Sequence, residues 1–221
     1  MKLIASLNQT ARSIPAAGAA LSLTAALMLG SVSQAQAAPL NLTLLDTPDI
    51  VSSFIDVNYD ATGDVFTASG FALELDDDGS VPAEAISDGT FDLTANIDAS
   101  GALNGGSFSI GGTVPSLGFN SGTLLTGSLT AFGFPDGGGD PLEFLFSVTG
   151  GDAAALYGGN DSIGGIILSG GTGFTGDFMM DFSGDGTAVA DVAPVPLPAA
   201  VWLFGAGLLG LAGVGRNRDR V

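Results

Sequence analysis

Phe91-Asp92-Leu93-Thr94-Ala95-Asn96-Ile97-Asp98 decides the fold class. Side chains of an extended chain point alternately to opposite faces, so Phe91, Leu93, Ala95 and Ile97 share one face and Asp92, Thr94, Asn96 and Asp98 the other. A strand with one apolar and one wet side follows. Phe71-Ala72-Leu73-Glu74-Leu75-Asp76 repeats the pattern, as does Asp177-Phe178-Met179-Met180-Asp181-Phe182. Weaker versions lie near 51–59, 63–69, 106–111, 122–133, 142–149, 163–169 and 187–192. Between them sit Ala61-Thr62-Gly63-Asp64, Asp76 to Ser80, Ala99-Ser100-Gly101, Pro135 to Pro141 and Gly158-Gly159-Asn160-Asp161. Gly supplies positive φ and Asx side chains cap turns, so these read as hairpin loops.

No helix of normal length is legible in 38–194, although Ala153 to Tyr157 could make one turn. The pattern predicts an all-β domain, a single Gly-rich antiparallel β-sandwich or roll of about nine or ten short strands. Its 28 glycines weaken individual strands but let backbones approach closely. A parallel β-solenoid would need a sustained repeat, and only scattered fragments such as Gly111-Gly112-Thr113 and Ser121-Gly122-Thr123 occur.

Charge divides the chain more sharply than hydrophobicity does. All five basic residues lie at the ends, at Lys2, Arg12, Arg216, Arg218 and Arg220. Of the 23 acidic residues only Asp219 lies outside 38–194, so that domain carries 22 acids and no base. It forms no Lys or Arg salt bridge of its own. Two readings stand: a solvated, self-repelling surface, or one that cations, calcium foremost, partly neutralise. No basic footprint exists for a nucleic acid. With no Cys and no His, disulfides, thiolate ligands and imidazole ligands are excluded.

The ends read as processing segments. Residues 1–37 have the form of a secretory signal peptide. Lys2 and Arg12 precede an uncharged Ala/Leu-rich run from Ile14 to Gly30, and Ala35-Gln36-Ala37 places small residues where signal peptidase needs them. At the other end, Val195-Pro196-Leu197-Pro198-Ala199 leads into an uncharged run, 199–215, closed by Arg216, Arg218 and Arg220 in the basic tail 216–220. As a helix those 17 residues would span about 25 Å, slightly short of a hydrocarbon core. The arginines would hold that end in the cytoplasm and leave the domain outside. Pro-x-Pro holds the backbone extended, the form a protease cleft accepts.

Val195-Pro196-Leu197-Pro198-Ala199-Ala200, Val201-Trp202-Leu203-Phe204-Gly205, a Gly/Leu-rich run and a terminal Arg cluster together resemble the PEP-CTERM sorting signal in its VPLPA variant. Leu197 stands where the commoner form has Glu. The resemblance covers about 27 residues, 195–221. It implies a membrane-held precursor and recognition by an exosortase, a membrane-embedded Cys protease-like transpeptidase of bacteria that make extracellular polysaccharide. It also implies delivery to the cell surface or its matrix. The expected product is an exported, non-enzymatic matrix protein that is structural or adhesive and meets acidic polysaccharide through divalent cations. The alternatives are a carbohydrate-binding or carbohydrate-hydrolysing secreted protein and a surface protein that keeps its membrane anchor.

Candidate sites within the domain are few. Asp76-Asp77-Asp78-Gly79 is the densest acidic cluster and the first place to look for calcium, with Glu74 and Glu84 as further ligands. Asp181-Phe182-Ser183-Gly184-Asp185-Gly186 spaces oxygens as a calcium loop does, but position 12 is Val192, so a turn is expected. Asp56-Val57-Asn58-Tyr59-Asp60 reads as the polar face of a strand. Gly159-Asn160-Asp161-Ser162-Ile163-Gly164-Gly165 resembles one turn of a calcium-binding RTX repeat without a neighbouring copy, and an ordinary Gly-rich turn is expected. Without His, Cys or Lys the domain lacks the usual bases and nucleophiles, and its only Trp, Trp202, lies in the tail. No catalytic residue is assigned.

Overall fold

The structure, a computed structural model, describes residues 38–79 and 81–196. Ten strands follow in chain order: β1 (Asp49–Asp60), β2 (Val65–Asp76), β3 (Glu84–Ala85), β4 (Ser87–Ile97), β5 (Leu103–Val114), β6 (Phe119–Gly133), β7 (Leu142–Gly150), β8 (Ile163–Ser169), β9 (Phe182–Ser183) and β10 (Ala188–Pro194). Every pairing is antiparallel. A single 3-10 turn, Pro115–Leu117, joins β5 to β6. Among the described residues no helix is long and apolar enough to cross a membrane. The expected span 199–215 and the signal segment 1–37 lie outside them.

The all-β, antiparallel expectation holds, but the sandwich does not. Eight strands run in the order β2-β4-β5-β6-β7-β8-β10-β1, and β1 also pairs with β2, so the sheet closes on itself as a barrel. The two-residue strands β3 and β9 attach outside this ring, to β2 and β1. Each barrel strand pairs with the next in sequence and the last with the first. Closure removes the open edge strands that a sandwich must protect. Alternation along one strand is the same in either architecture, so it does not distinguish them.

The opening stretch behaves as its pattern requires. Phe91, Leu93, Ala95 and Ile97 are buried, and Asp92, Thr94 and Asn96 are exposed. Their inward neighbours across β4–β5 are Ile110 and Phe108, opposite Phe91 and Leu93. Side chains fill the interior, one of the two outcomes open to an eight-stranded barrel. Phe66 and Phe144 meet at 5.6 Å and Phe132 and Phe144 at 4.8 Å between ring centroids. Glycines make room for the largest rings. A Cβ at Gly164 or Gly127 would strike Phe146, which is fully buried and packs edge-on to Phe108 at 4.5 Å.

The predicted strand over 177–182 is not one. Only Phe182–Ser183 pair, with Tyr59 and Asn58 of β1. Phe178 is buried while Met179 and Met180 are 72 % and 66 % exposed, so the apparent alternation belongs to a loop with one inward ring. That loop closes one end of the barrel. Phe174, Phe178 and Phe182 gather around Tyr59 and Phe134. The Tyr59 hydroxyl lies 2.8 Å from the Ile97 carbonyl and 3.2 Å from that of Phe178. At the other end Ala153 to Tyr157 form a turn, with Ala153, Ala154 and Tyr157 buried. The Tyr157 hydroxyl donates to the Val192 carbonyl at 2.6 Å.

Candidate functional site

The chain leaves the barrel at the end closed by Tyr157. β10 pairs with β8 from Val189↔Ser169 to Pro194↔Gly164, and one further bond, Val195 N–H to the Ile163 carbonyl at 3.4 Å, carries the ladder into the Val195–Ala199 segment. Of that segment, Val195 and Pro196 are described. Leu197, Pro198 and Ala199 lie outside the described residues, as do Arg216, Arg218 and Arg220 and the residues Ala35 and Ala37 expected at a signal-cleavage site.

The first described residues lie against the same strands. Leu40, Leu42 and Leu44 are half-buried, whereas Asn41, Thr43 and Leu45 are exposed, so residues 38–45 form an extended strap with an apolar underside. The strap crosses the outer faces of four strands. A Cβ at Gly133 of β6 would meet Leu40, and a Cβ at Gly165 of β8 would meet Leu44, Leu42 and Val195 at 2.7–3.0 Å. Glu143 of β7 accepts the successive N–H groups of Asn41 and Leu42, each at 2.9 Å, one per carboxylate oxygen. It is only 6 % exposed although it points away from the barrel interior, because the strap covers it. Leu45 N–H then reaches the Pro194 carbonyl at 3.0 Å. The Leu-x-Leu-x-Leu alternation was a legible signal for this strap, and the sequence reading missed it.

The acidic residues sort into two kinds. Several are acceptors that tie turns and loops. Asp98 takes the Ser100 hydroxyl, the Asn104 amide and the N–H groups of Ser100 and Ala102, and these hold its carboxyl down at about 2. Asp140 takes the N–H groups of Gly170 and Gly171 and the Thr172 hydroxyl. Asp181 accepts Ala61 N–H at 2.8 Å, and Asp185 accepts Thr187 N–H at 3.1 Å. The loop that spaces its oxygens like a calcium site therefore uses Asp185 to tie its own turn and Asp181 to tie it to the β1–β2 hairpin. Gly158 to Asp161 is likewise a turn, and Asp56 to Asp60 is strand with Asp56, Asn58 and Asp60 exposed.

The second kind clusters at the end where the chain leaves. Asp76, Asp77 and Asp78 bring one oxygen each within 4.8 Å of one another. Asp76 also accepts Gly79 N–H at 2.7 Å. Three anionic oxygens suit calcium in type, but calcium takes six to eight ligands. The expected extra ligands do not join as a set, since Glu84 accepts the Ser116 hydroxyl at 2.6 Å instead. Directly across the β1–β2 ladder from Asp76 lies Asp49. Burial first, then the hydrogen bond and charge of Asp191, push the Asp49 carboxyl up to about 8. Asp49 Oδ1 is buried and has no hydrogen-bond partner. Burial, then the charges of Asp49 and Asp191, also raise the Tyr157 hydroxyl well above the usual phenol range. No sequence signal pointed to the Asp49–Asp191 pair, which exists only because the first and last strands meet.

No family model matches this chain, and neither a curated protein nor a solved structure matches it.

Proposed function

We propose that this is an exported surface or matrix protein, a rigid acidic barrel delivered by a removable C-terminal sorting segment. The observation that carries the reading is the order Val195-Pro196-Leu197-Pro198-Ala199, apolar run, Arg216-Arg218-Arg220. An exosortase-like transpeptidase is the processing partner, signal peptidase the earlier one, and the membrane holds the precursor between the two cuts. Processing at both ends discards every basic residue, because all five lie in the two end segments. What remains is a pure polyanion. Its role is structural or adhesive, and it approaches acidic extracellular polysaccharide through divalent cations.

Two features support a passive rather than a catalytic role. Side chains fill the barrel interior, and several acids outside the Asp76–Asp78 end are engaged in tying turns and loops. The test is the mass of the mature protein taken from envelope and culture supernatant. A C-terminus near Pro198 supports the reading. A C-terminus still at Val221 sinks it and leaves a permanently anchored surface protein.

A further inference from the structure

The strap and the sorting segment share one anchor point, and the contact has a direction. Val195, the first residue of the sorting motif, is held from two sides: its N–H bonds to the Ile163 carbonyl, and its side chain lies with Leu42 and Leu44 around Gly165. Pro194 is held by Leu45 N–H on its carbonyl and by its pairing with Gly164. The strap itself is pinned by the two amide bonds to Glu143, a charged acceptor shielded from water, where such bonds are stronger than neutral exposed ones. Pro196, the next residue, is exposed, and as a proline it has no N–H with which to continue the ladder.

We propose that the strap 38–45 is a latch on the sorting segment: once the barrel has folded, it fixes Pro194 and Val195 to β8 and β10, so a processing enzyme reaches the chain only from Pro196 onward. The inference rests on the sorting reading of 195–221. A protease cleft needs several residues of extended, unpaired backbone. In the unfolded chain all of Pro194 to Ala199 meets that need. In the folded barrel the ladder and the strap remove the first two residues from reach. The latch therefore protects the last barrel strand from being cut along with the tail.

The test uses the full chain, in the membranes of cells that export it, digested with a proline-specific endoprotease and read by intact mass. Wild type is cut after Pro196 and Pro198 and resists cutting after Pro194. Two variants loosen the latch. Gly165→Ala pushes Leu42, Leu44 and Val195 outward together, and Glu143→Gln weakens both amide bonds. In each, cutting after Pro194 rises at least about tenfold, as expected when fast local opening precedes cleavage and a charge-assisted bond is lost. If either variant loses its cooperative melt, Leu44→Ser makes the same test with every barrel residue intact. Cutting after Pro194 in wild type as fast as after Pro196, or no increase in variants that melt like wild type, overturns the latch. If wild type in cells keeps Val221 while the protease pattern appears as described, the sorting reading fails and the latch stands.

Discussion

Gly164→Ala tests the barrel register at its tightest point. Gly164 faces Phe146 across β7–β8, and a Cβ there would lie 2.8 Å from both ring Cε atoms and closer still to Cζ. The ring cannot retreat, since a Cβ position at Gly127 is already 2.8 Å from Phe146 Cδ2 and Phe108 closes the remaining side. Overpacking of this kind costs about 1–3 kcal/mol, and contact with three ring atoms places it in the upper part of that range. Replacing Gly with Ala returns about 0.4–1 kcal/mol by narrowing the unfolded ensemble. The net loss is about 1–2 kcal/mol. Gly150→Ala is the control: its nearest atom is Thr126 Oγ1 at 3.6 Å, an ordinary contact, and its φ is not positive. It should gain about 0.4–1 kcal/mol. The two variants then differ by about 2–3 kcal/mol, or roughly 4–12 °C in Tm for a domain of this size. The domain has no Trp, so far-UV circular dichroism is the probe, with urea midpoints as a second measure. If Gly164→Ala melts at or above Gly150→Ala, Phe146 does not lie over Gly164 and the β7–β8 register is wrong.

The Asp49 carboxyl titrates at about 8 in the fold against 3.8 unfolded, so its contribution is full below pH 4 and is lost as pH rises through 8. Asp49→Asn should therefore gain on wild type between pH 5 and pH 9, by about 1–2 kcal/mol after allowance for solvent screening, and paired thermal melts that stay parallel across this range would refute it. Phe178→Ala removes the ring that the 170–182 loop inserts beside Tyr59 and should cost about 3–5 kcal/mol in urea unfolding; a cost under about 1 kcal/mol would mean the loop does not plug the barrel. Calcium should raise the Tm of the mature protein and promote its retention on acidic polysaccharide, and Asp76→Asn, Asp77→Asn and Asp78→Asn together should reduce both effects. Matrix retention unchanged in excess chelator would count against divalent bridging.

Period-two alternation was enough to find the strands, because which face a side chain takes is a local property of extended backbone. The 91–98 stretch shows this, and so does the match between the expected 163–169 and β8, whereas in 71–76 the faces depart from the pattern: Phe71 and Leu73 are exposed and Ala72 is buried with Leu75, where the β1–β2 register shifts at bulges. The 177–182 stretch shows the limit: Phe178 is inward for tertiary reasons while Met179 and Met180 both face water. A hydrophobic pattern that short fits a loop with one anchoring ring as well as it fits a strand.

From sequence alone came the all-β class, the basic-free domain between two basic ends, and the motif at 195–199 with its arginines. Each is written in neighbouring residues or in composition. The tertiary structure alone decided closure into a barrel, the Asp49–Asp191 pair and where the strap docks. Those depend on which distant strands meet: Glu143 and Asn41 are 102 residues apart, and Asp49 and Asp191 approach only because β1 lies beside β10. Pairing between the first and last strands is set by the free energy of closing the whole ring, and no local pattern in either strand encodes its partner.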